Sequence, residues 1–479
     1  MVRNFVSKVF QSPTIMTWMN YSVIFIHGLV VTPFTLKQFG NIEYSFWILL
    51  QTLLSFSLLI DSGFGHTLSR TVSFFFGGAK KIPNSLKEFK NLKSEKGEPN
   101  YLMLNKLLGT SAKVYTIVAL TTILIMGVIG PLILWNLLNM SDHSSELWLS
   151  IGLMLALSFI SIQGVKWNSF MVGTLQVATQ NQIQSAFGVF QLVTFLVILI
   201  FFPSIPLLLS VLIIKTLIGN LLRKNLVIKK LNESGDYYTR KKHFDKEIFS
   251  PLWRSTWRMG LSQWGSFFSK SGVSIVISQV QNPALMASFL FTNKILEFVQ
   301  KIAQGPFNAN IPAIYSNMAQ KNFAEVKRII SGNVFLMSII FLGGVAGFAL
   351  FGNKLLDLLS IDKRIVPLGI YLVFCTRMFL YIHSLVHGTT YIATNTVPFY
   401  IPSIITGGLT VLGGFLILPH YDLMGVVWVQ LIAFLLINAW QSTYLNLKLI
   451  NWNFFHYCKD IIVIGSVKTL SSAKGFIKK

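Results

Sequence analysis

Apolar runs, each near 20 residues, alternate with short polar breaks along nearly the whole chain. A run of that length crosses about 30 Å of hydrocarbon as one helix. The pattern predicts twelve spans, at 16–36, 44–66, 111–138, 147–172, 183–202, 206–222, 258–280, 284–310, 331–352, 366–387, 397–417 and 421–444. Two polar stretches are longer than the rest. Residues 77–106 open with Gly77-Gly78-Ala79-Lys80-Lys81, and residues 223–257 hold the densest basic run, ending Arg240-Lys241-Lys242. The second follows the sixth span and divides the chain. The predicted organisation is an N-terminal six-helix bundle (1–222), a basic cytoplasmic linker (223–257), a C-terminal six-helix bundle (258–444) and a basic cytoplasmic tail (445–479). Pro203-Ser204-Ile205-Pro206, Gln281-Asn282-Pro283-Ala284 and Pro419-His420-Tyr421-Asp422 carry turn chemistry and leave no room for an extracellular domain. A shift of 243 residues lays Ser45-Phe46 on Ser288-Phe289 and Phe64 on Phe307, a faint sign of duplicated halves.

Composition agrees with an all-α integral membrane protein. The chain is 53% hydrophobic and only 12% charged, with a mean hydropathy of +0.60, outside the range of soluble domains. Its net charge of +23 would suit nucleic acid, but the placement of that charge argues for a membrane instead. With the N-terminus in the cytoplasm, the cytoplasmic segments collect 30 of the 40 Lys and Arg residues, against four on the far side and six within spans. This is the positive-inside asymmetry, and it puts both termini in the cytoplasm. Anionic lipid headgroups account for the basic surfaces, so no nucleic-acid partner is expected. Cys375 and Cys458 offer no disulfide framework. The first apolar run lacks a small-residue cleavage site and reads as a retained span.

Charge inside the spans then narrows the function. Lys166, Lys215, Lys270, Lys294, Lys301 and Arg377 lie within apolar runs, with only Asp61 and Glu297 as convincing acids there. A charge in hydrocarbon costs at least about 2.5 kcal/mol and so faces a wet cavity or a partner. The excess of cations calls for a negative substrate. In the eighth span Asn293, Glu297, Gln300, Gln304 and Asn308 recur every three or four residues and form one polar stripe, with Lys294 and Lys301 beside it. Either it lines an aqueous passage or it closes on itself through Lys294–Glu297–Lys301 pairs. Gln263, Ser266, Lys270 and Ser274 share one side of the seventh span, with Lys270 too deep for easy snorkelling. Arg377 is central in the tenth span, whereas Lys166 and Lys215 fall near cytoplasmic ends, where a lysine can snorkel to the headgroups. Cationic groups replace the hydration that a pyrophosphate loses in the membrane, and Arg binds phosphate through paired donors. Asp61, Glu297, His27, His66, His383 and His387 are the groups able to couple transport to protons, with Asp61 and Glu297 the leading candidates. His383 and His387 are four residues apart, but two ligands alone do not make a metal site. No phosphate-binding G-x-x-x-x-G-K-[ST] loop, nucleophile elbow or Cys/His cluster marks an enzyme or a cofactor site.

Glu43-Tyr44-Ser45-Phe46-Trp47, then Leu59-Ile60-Asp61-Ser62-Gly63-Phe64-Gly65-His66-Thr67-Leu68-Ser69-Arg70, resembles the second-span signature of polysaccharide flippases. These belong to the multidrug/oligosaccharidyl-lipid/polysaccharide exporter superfamily. Lys294-Ile295, Gly305-Pro306-Phe307 and Ile311-Pro312 resemble its later counterpart. The resemblance implies two six-helix bundles around a central cationic cavity, with alternating access. It implies an undecaprenyl-pyrophosphate-linked oligosaccharide as substrate, moved across the bacterial cytoplasmic (inner) membrane, with membrane lipids, a polymerase and other glycan-assembly proteins as partners. Carried to this chain, it makes Arg70, Lys270, Lys294, Lys301 and Arg377 the candidate substrate-binding residues. Lipid II flippases resemble it too but have two further helices, whereas residues 453–470 offer only the apolar stretch Ile461-Ile462-Val463-Ile464. That departure favours an O-antigen or capsular repeat unit. A multidrug exporter of the same superfamily is the nearest alternative, although cationic drugs would call for lumenal acids. An integral-membrane glycosyltransferase or polymerase is a further one.

Overall fold

A computed structural model of the chain describes residues 11–59, 61, 63–83, 86–91, 98–140, 144–232, 244–277, 283–358 and 365–477. Among the described residues the chain is all-helical, without strands. The helices are α1 (Pro13–Gln38), α2 (Asn41–Leu59), α3 (Phe64–Phe76), α4 (Leu86–Asn91), α5 (Tyr101–Met140), α6 (Ser144–Gly173), α7 (Val177–Phe201) and α8 (Ile205–Leu231). There follow α9 (Lys246–Ile277), α10 (Pro283–Ala319), α11 (Phe323–Leu358), α12 (Leu368–Ile392), α13 (Tyr400–Leu449) and α14 (Phe454–Ile477).

Local chemistry sets where they begin. Ser12 caps α1, accepting the Ile15 N–H at 3.4 Å, and Pro13 takes the first turn, where its missing N–H costs nothing. Asn100 accepts from Met103 N at the start of α5, and Asp245 from Glu247 N and Ile248 N at the start of α9. Seven helices are long and apolar enough to cross a membrane among the described residues. Large apolar side chains on them turn outward rather than inward, as with Leu124 at 72% exposure and Leu416 at 74%. Such a surface has lipid as its solvent, and the protein is an integral, multi-pass membrane protein.

Each of the twelve expected spans overlaps helix, several running a few residues past a helix end, and 278–280 of the seventh lie outside the described residues. The last two lie in the 50-residue α13, which turns at Asp422 (φ 53°, ψ −155°) beside Pro419. The second is interrupted, with α2 ending at Leu59 and α3 starting at Phe64 after Gly63 in a left-handed conformation (φ 88°). The ends of the expected linker 223–257 are helical: 223–231 completes α8 and 246–257 opens α9, while 233–243 lies outside the described residues. The tail contains α14, packed against α11. There a Cβ on Gly465 would stand 2.4 Å from Phe335 Cβ, so the two helices meet with no space between them. Tyr457 OH meets His387 Nε2 at 2.9 Å, and Asn446 Nδ2 meets His387 Nδ1 at 3.0 Å, which ties α14 to α12 and α13 through a buried imidazole.

The chain divides into two compact units. One comprises residues 6–82 and 95–256, the other residues 1–5, 83–94 and 257–479. The first has a core of Phe46, Trp47, Leu50, Met126, Met154, Phe195 and Leu208, drawn from α2, α5, α6, α7 and α8. Although early in sequence, α4 belongs to the second unit. Asn395 Nδ2 donates to the Pro83 carbonyl at 2.9 Å, Lys321 Nζ donates to the carbonyls of Phe89 and Lys90, and the same ammonium lies 4.5 Å from the Phe89 ring. Removal from water there pushes the Lys321 ammonium below its ordinary pKa. The residues matched by the sequence shift are equivalent in burial: Phe46, Phe64, Phe289 and Phe307 are all in the cores of their own units.

In the second unit α9 and α13 approach backbone to backbone. A Cβ on Gly265 would lie 2.3 Å from the Ser403 carbonyl carbon and 2.5 Å from Ile404 N, and Gly407 faces the Gly265 carbonyl. Small residues permit this approach, which is how helices pack where lipid removes the usual hydrophobic drive. Gly265→Leu must force α9 and α13 apart. It is expected to lower stability by roughly 1–3 kcal/mol or more, seen as a reduced melting temperature of the detergent-purified protein, whereas Gly343→Ala, which meets open space, leaves it unchanged.

Candidate functional site

In the first unit four helices leave a hollow of about 600 Å³ with several polar groups in a largely apolar lining. Its chemistry comes from Asn20 and His27 on α1, Asn168 on α6, Gln180, Gln184 and Gln191 on α7, and Lys215, Asn220 and Arg223 on α8. On α7, positions 180, 184 and 191 repeat at helical spacing and share one face, and on α8 positions 220 and 223 do the same, with 215 about 80° round the axis from 223. Among the described residues no carboxylate lines it. The volume is within the range of small-molecule sites, about 300–1,000 Å³.

Neutral acceptors hold the two cations. Lys215 Nζ donates to Gln191 Oε1 at 2.6 Å, and Gln191 Nε2 faces His27 Nε2 at 3.0 Å. Arg223 donates through Nε to Gln180 Oε1 at 2.9 Å and through Nη1 to Asn220 Oδ1 at 3.2 Å. Asn220 in turn donates to the Ile160 carbonyl. It fits because position 164 is glycine, where a Cβ would lie 2.3 Å from Asn220 Oδ1. Asn20 Nδ2 donates to Gln184 Oε1 at 2.9 Å. Among the described buried polar atoms, Gln180 Nε2 and Asn168 Oδ1 find no partner. A carboxamide that leaves such groups unmet has capacity for a ligand or water.

In the second unit Arg377 is buried, at 2% exposure. Its Nη2 donates to the Ser269 carbonyl (3.2 Å) and hydroxyl (3.1 Å), while Gln430 Nε2 donates to the same carbonyl at 2.6 Å. The guanidinium carbon is 5.4 Å from the Tyr381 ring and 5.5 Å from that of Phe434, and Lys270 Nζ is 4.0 Å from the Tyr381 ring. Two cations therefore lie near one aromatic ring, whose quadrupole can attract both. The ion pairs among the described residues are Lys106–Asp245, Lys294–Glu297 and Arg328–Glu325, so neither cation has a carboxylate among them.

The α10 stripe divides along its length. Gln300 and Gln304 are buried in the unit, and Asn293 Nδ2 donates to Glu297 Oε1 at 3.1 Å. Lys294 is 80% exposed, its Nζ 4.0 Å from Glu297 Oε2, and Lys301, seven residues on, is exposed on the same side. The self-closing network thus takes in Lys294 and Glu297, and Lys301 is not in it. Arg70 is buried in the first unit, its Nη2 donating to Ser255 Oγ at 2.8 Å. Asp61 Oδ2 accepts the Gly65 N–H at 3.1 Å, at the turn that starts α3. The expected residues thus fall in separate places: Lys270 and Arg377 together, Lys294, Lys301 and Glu297 along one helix, and Arg70 and Asp61 at the two ends of the signature segment.

The first-unit hollow is the feature that sequence reasoning missed. Lys215 does not snorkel; it bonds Gln191, midway along α7, and Arg223, assigned to the linker, belongs to the lining. Each lining helix contributes only two to four polar residues, so none shows a stripe as long as that of α10. The i, i+4 and i, i+7 recurrence of amides in α7, with Asn20 and His27 seven residues apart in α1, was the available signal.

No known protein-family profile and no curated protein matches the chain. Solved structures do. A multidrug resistance MATE family transporter of the MOP superfamily, in an outward-facing conformation, aligns with a TM-score of 0.73 at 14% identity, over 91% of this chain and 94% of that one. A MOP superfamily transporter from Pyrococcus furiosus Vc1 (DSM3638), for which a binding pocket of reverse polarity suggests a different function, aligns with a TM-score of 0.73 at 13% identity, over 91% and 94%. A MATE crystallised in complex with MaD5 gives a TM-score of 0.70 at 13% identity, over 92% and 96%. The chain therefore has the fold of MATE transporters of the MOP superfamily.

Proposed function

We propose that this protein is a secondary transporter working by alternating access on an amphipathic substrate with an anionic headgroup, and that the substrate is a lipid-linked oligosaccharide pyrophosphate. One observation carries the reading: the first-unit hollow presents Lys215 and Arg223 with no carboxylate among the described residues of its lining. Inside a bilayer such a pair repels cationic drugs and supplies the charge that a phosphate needs once stripped of water. The amides of Asn20, Gln180 and Gln184 suit sugar hydroxyls, and about 600 Å³ admits a headgroup rather than the entire glycolipid. Lys270 and Lys301, neither paired with an acid among the described residues, remain the candidate anion-binding cations of the second unit, considered by itself. Arg377 supports Tyr381 and Ser269 rather than touching substrate.

Multidrug export is the second reading, favoured by the likeness to MATE structures. The Pyrococcus transporter, whose reverse pocket polarity is taken to suggest a different function, supports weighing pocket charge above fold in choosing between the two.

Reconstituted in vesicles, the wild-type protein is expected to move a fluorescent prenyl-pyrophosphate glycolipid between leaflets. Lys215→Met and Arg223→Met should each slow that movement at least about tenfold, equal to about 1.4 kcal/mol, with unchanged melting temperature. Efflux of cationic dyes with no glycolipid movement would establish the second reading instead. A separate expectation concerns the buried guanidinium. Arg377→Ala removes a donor from Ser269 and leaves a void against Phe434, so it should cost about 2–4 kcal/mol in thermal stability, whereas Lys270→Ala, held by one ring face, should cost less than about 1 kcal/mol.

A further inference from the structure

Gln191 bridges two nitrogen groups that compete for it. A lysine ammonium has donors only, so the Gln191 atom facing Lys215 at 2.6 Å must be the carbonyl oxygen. The amide NH₂ then faces His27 Nε2 at 3.0 Å, and that ring nitrogen must accept. Geometry thereby fixes His27 as neutral, protonated on Nδ1, for as long as Lys215 is held. A second proton on Nε2 would set donor against donor. Rotating the amide to accept from His27 turns its NH₂ to Lys215, which again sets donor against donor. One amide cannot serve an imidazolium through its nitrogen and an ammonium through its oxygen.

We infer that His27 is the proton-linked group of this hollow: proton uptake at Nε2 turns Gln191, detaches Lys215, and presents its ammonium to an anionic headgroup. The inference rests on the anionic-substrate reading above and adds the sign of the linkage. Anion and proton bind together, because protonation both frees a cation and adds one. The reciprocal also holds, and a bound anion draws a proton onto His27. The surroundings suit the role. His27 is midway along α1, tilted against Phe195 at 5.5 Å between ring centroids, so apolar packing covers one side and the hollow wets the other. Among the lining residues, α8 faces it with Lys215 and Arg223, while α6 and α7 bring only uncharged groups and α1 brings Asn20. No lining carboxylate competes for the proton.

The test is binding of 1,5-naphthalenedisulfonate, whose two charges do not change with pH, to the purified full-length protein by calorimetry at about pH 5.5 and about pH 8, either side of the ordinary imidazole range. The wild-type protein is expected to bind about tenfold more tightly at the lower pH, within the usual span of coupling between sites. His27→Gln should bind equally at both, near the wild-type value at high pH. Gln191→Leu, which leaves Lys215 untethered at every pH, should retain tighter binding at about pH 8 than the wild type. A pH dependence that survives in His27→Gln would overturn the assignment while leaving the anion site intact. Absence of binding at either pH, with the protein folded by its melting transition, would overturn the anion site and this inference together.

Discussion

Positive charge without matching negative charge, held in an apolar surround, is the constraint to which the rest of this structure answers. Seventeen acidic residues face forty basic ones, and only Asp61, Glu297 and Asp422 of the acids fall within the predicted spans. The buried cations are accordingly met by neutral oxygen and by rings: Arg377 by Ser269, Lys215 by Gln191, Arg223 by Gln180 and Asn220, Lys166 by Gln163, Arg70 by Ser255, Lys270 by Tyr381. Carbonyl and amide dipoles orient a cation and repay part of its desolvation, but they do not cancel its charge. A positive potential therefore persists inside each unit. A carboxylate in any of these positions would quench it, and the chain would lose its means of attracting an anion.

The same substitution of amides for acids explains what the linear sequence could disclose. Spans were legible because hydrocarbon thickness imposes a length on every crossing, and each expected run overlaps helix among the described residues. The α10 stripe was legible because five polar residues recur on one helix. Its inner edge, Gln300 and Gln304, packs into the unit, while Lys294 and Lys301 lie outward about 100° around the axis. The first-unit hollow was not legible, since it is assembled from four helices that each look ordinary alone. Arg223 was misplaced because a basic run after an apolar one looks like a loop, when α8 in fact continues to Leu231. Likewise, α14 lacks the apolar length of a span. It is held by particular contacts, the Gly465–Phe335 fit and the His387–Tyr457 bond, which periodicity does not reveal.

Position along a helix also separates the roles open to similar residues. Asp61 and Glu297 are the two acids expected to couple transport, yet each is already engaged: Asp61 with the α3 backbone, Glu297 with Asn293 and Lys294. A group committed to holding a turn or a neighbour cannot titrate without disturbing it. His387, enclosed by Asn446 and Tyr457, has the same commitment. His27 differs in having a wet side and a partner that can rotate.

The placement of α4 has a consequence for biosynthesis. Its receptors, Lys321 and Asn395, are encoded more than 200 residues downstream of Phe89. At roughly 5–20 residues per second of synthesis, this segment leaves the ribosome tens of seconds before its binding surface exists. The first half of the nascent protein must therefore insert with that piece unclaimed, and only the arrival of the last third gives it a home. Completion of the fold is thus timed by the C-terminal sequence, and a chain arrested between the halves strands part of its own second unit.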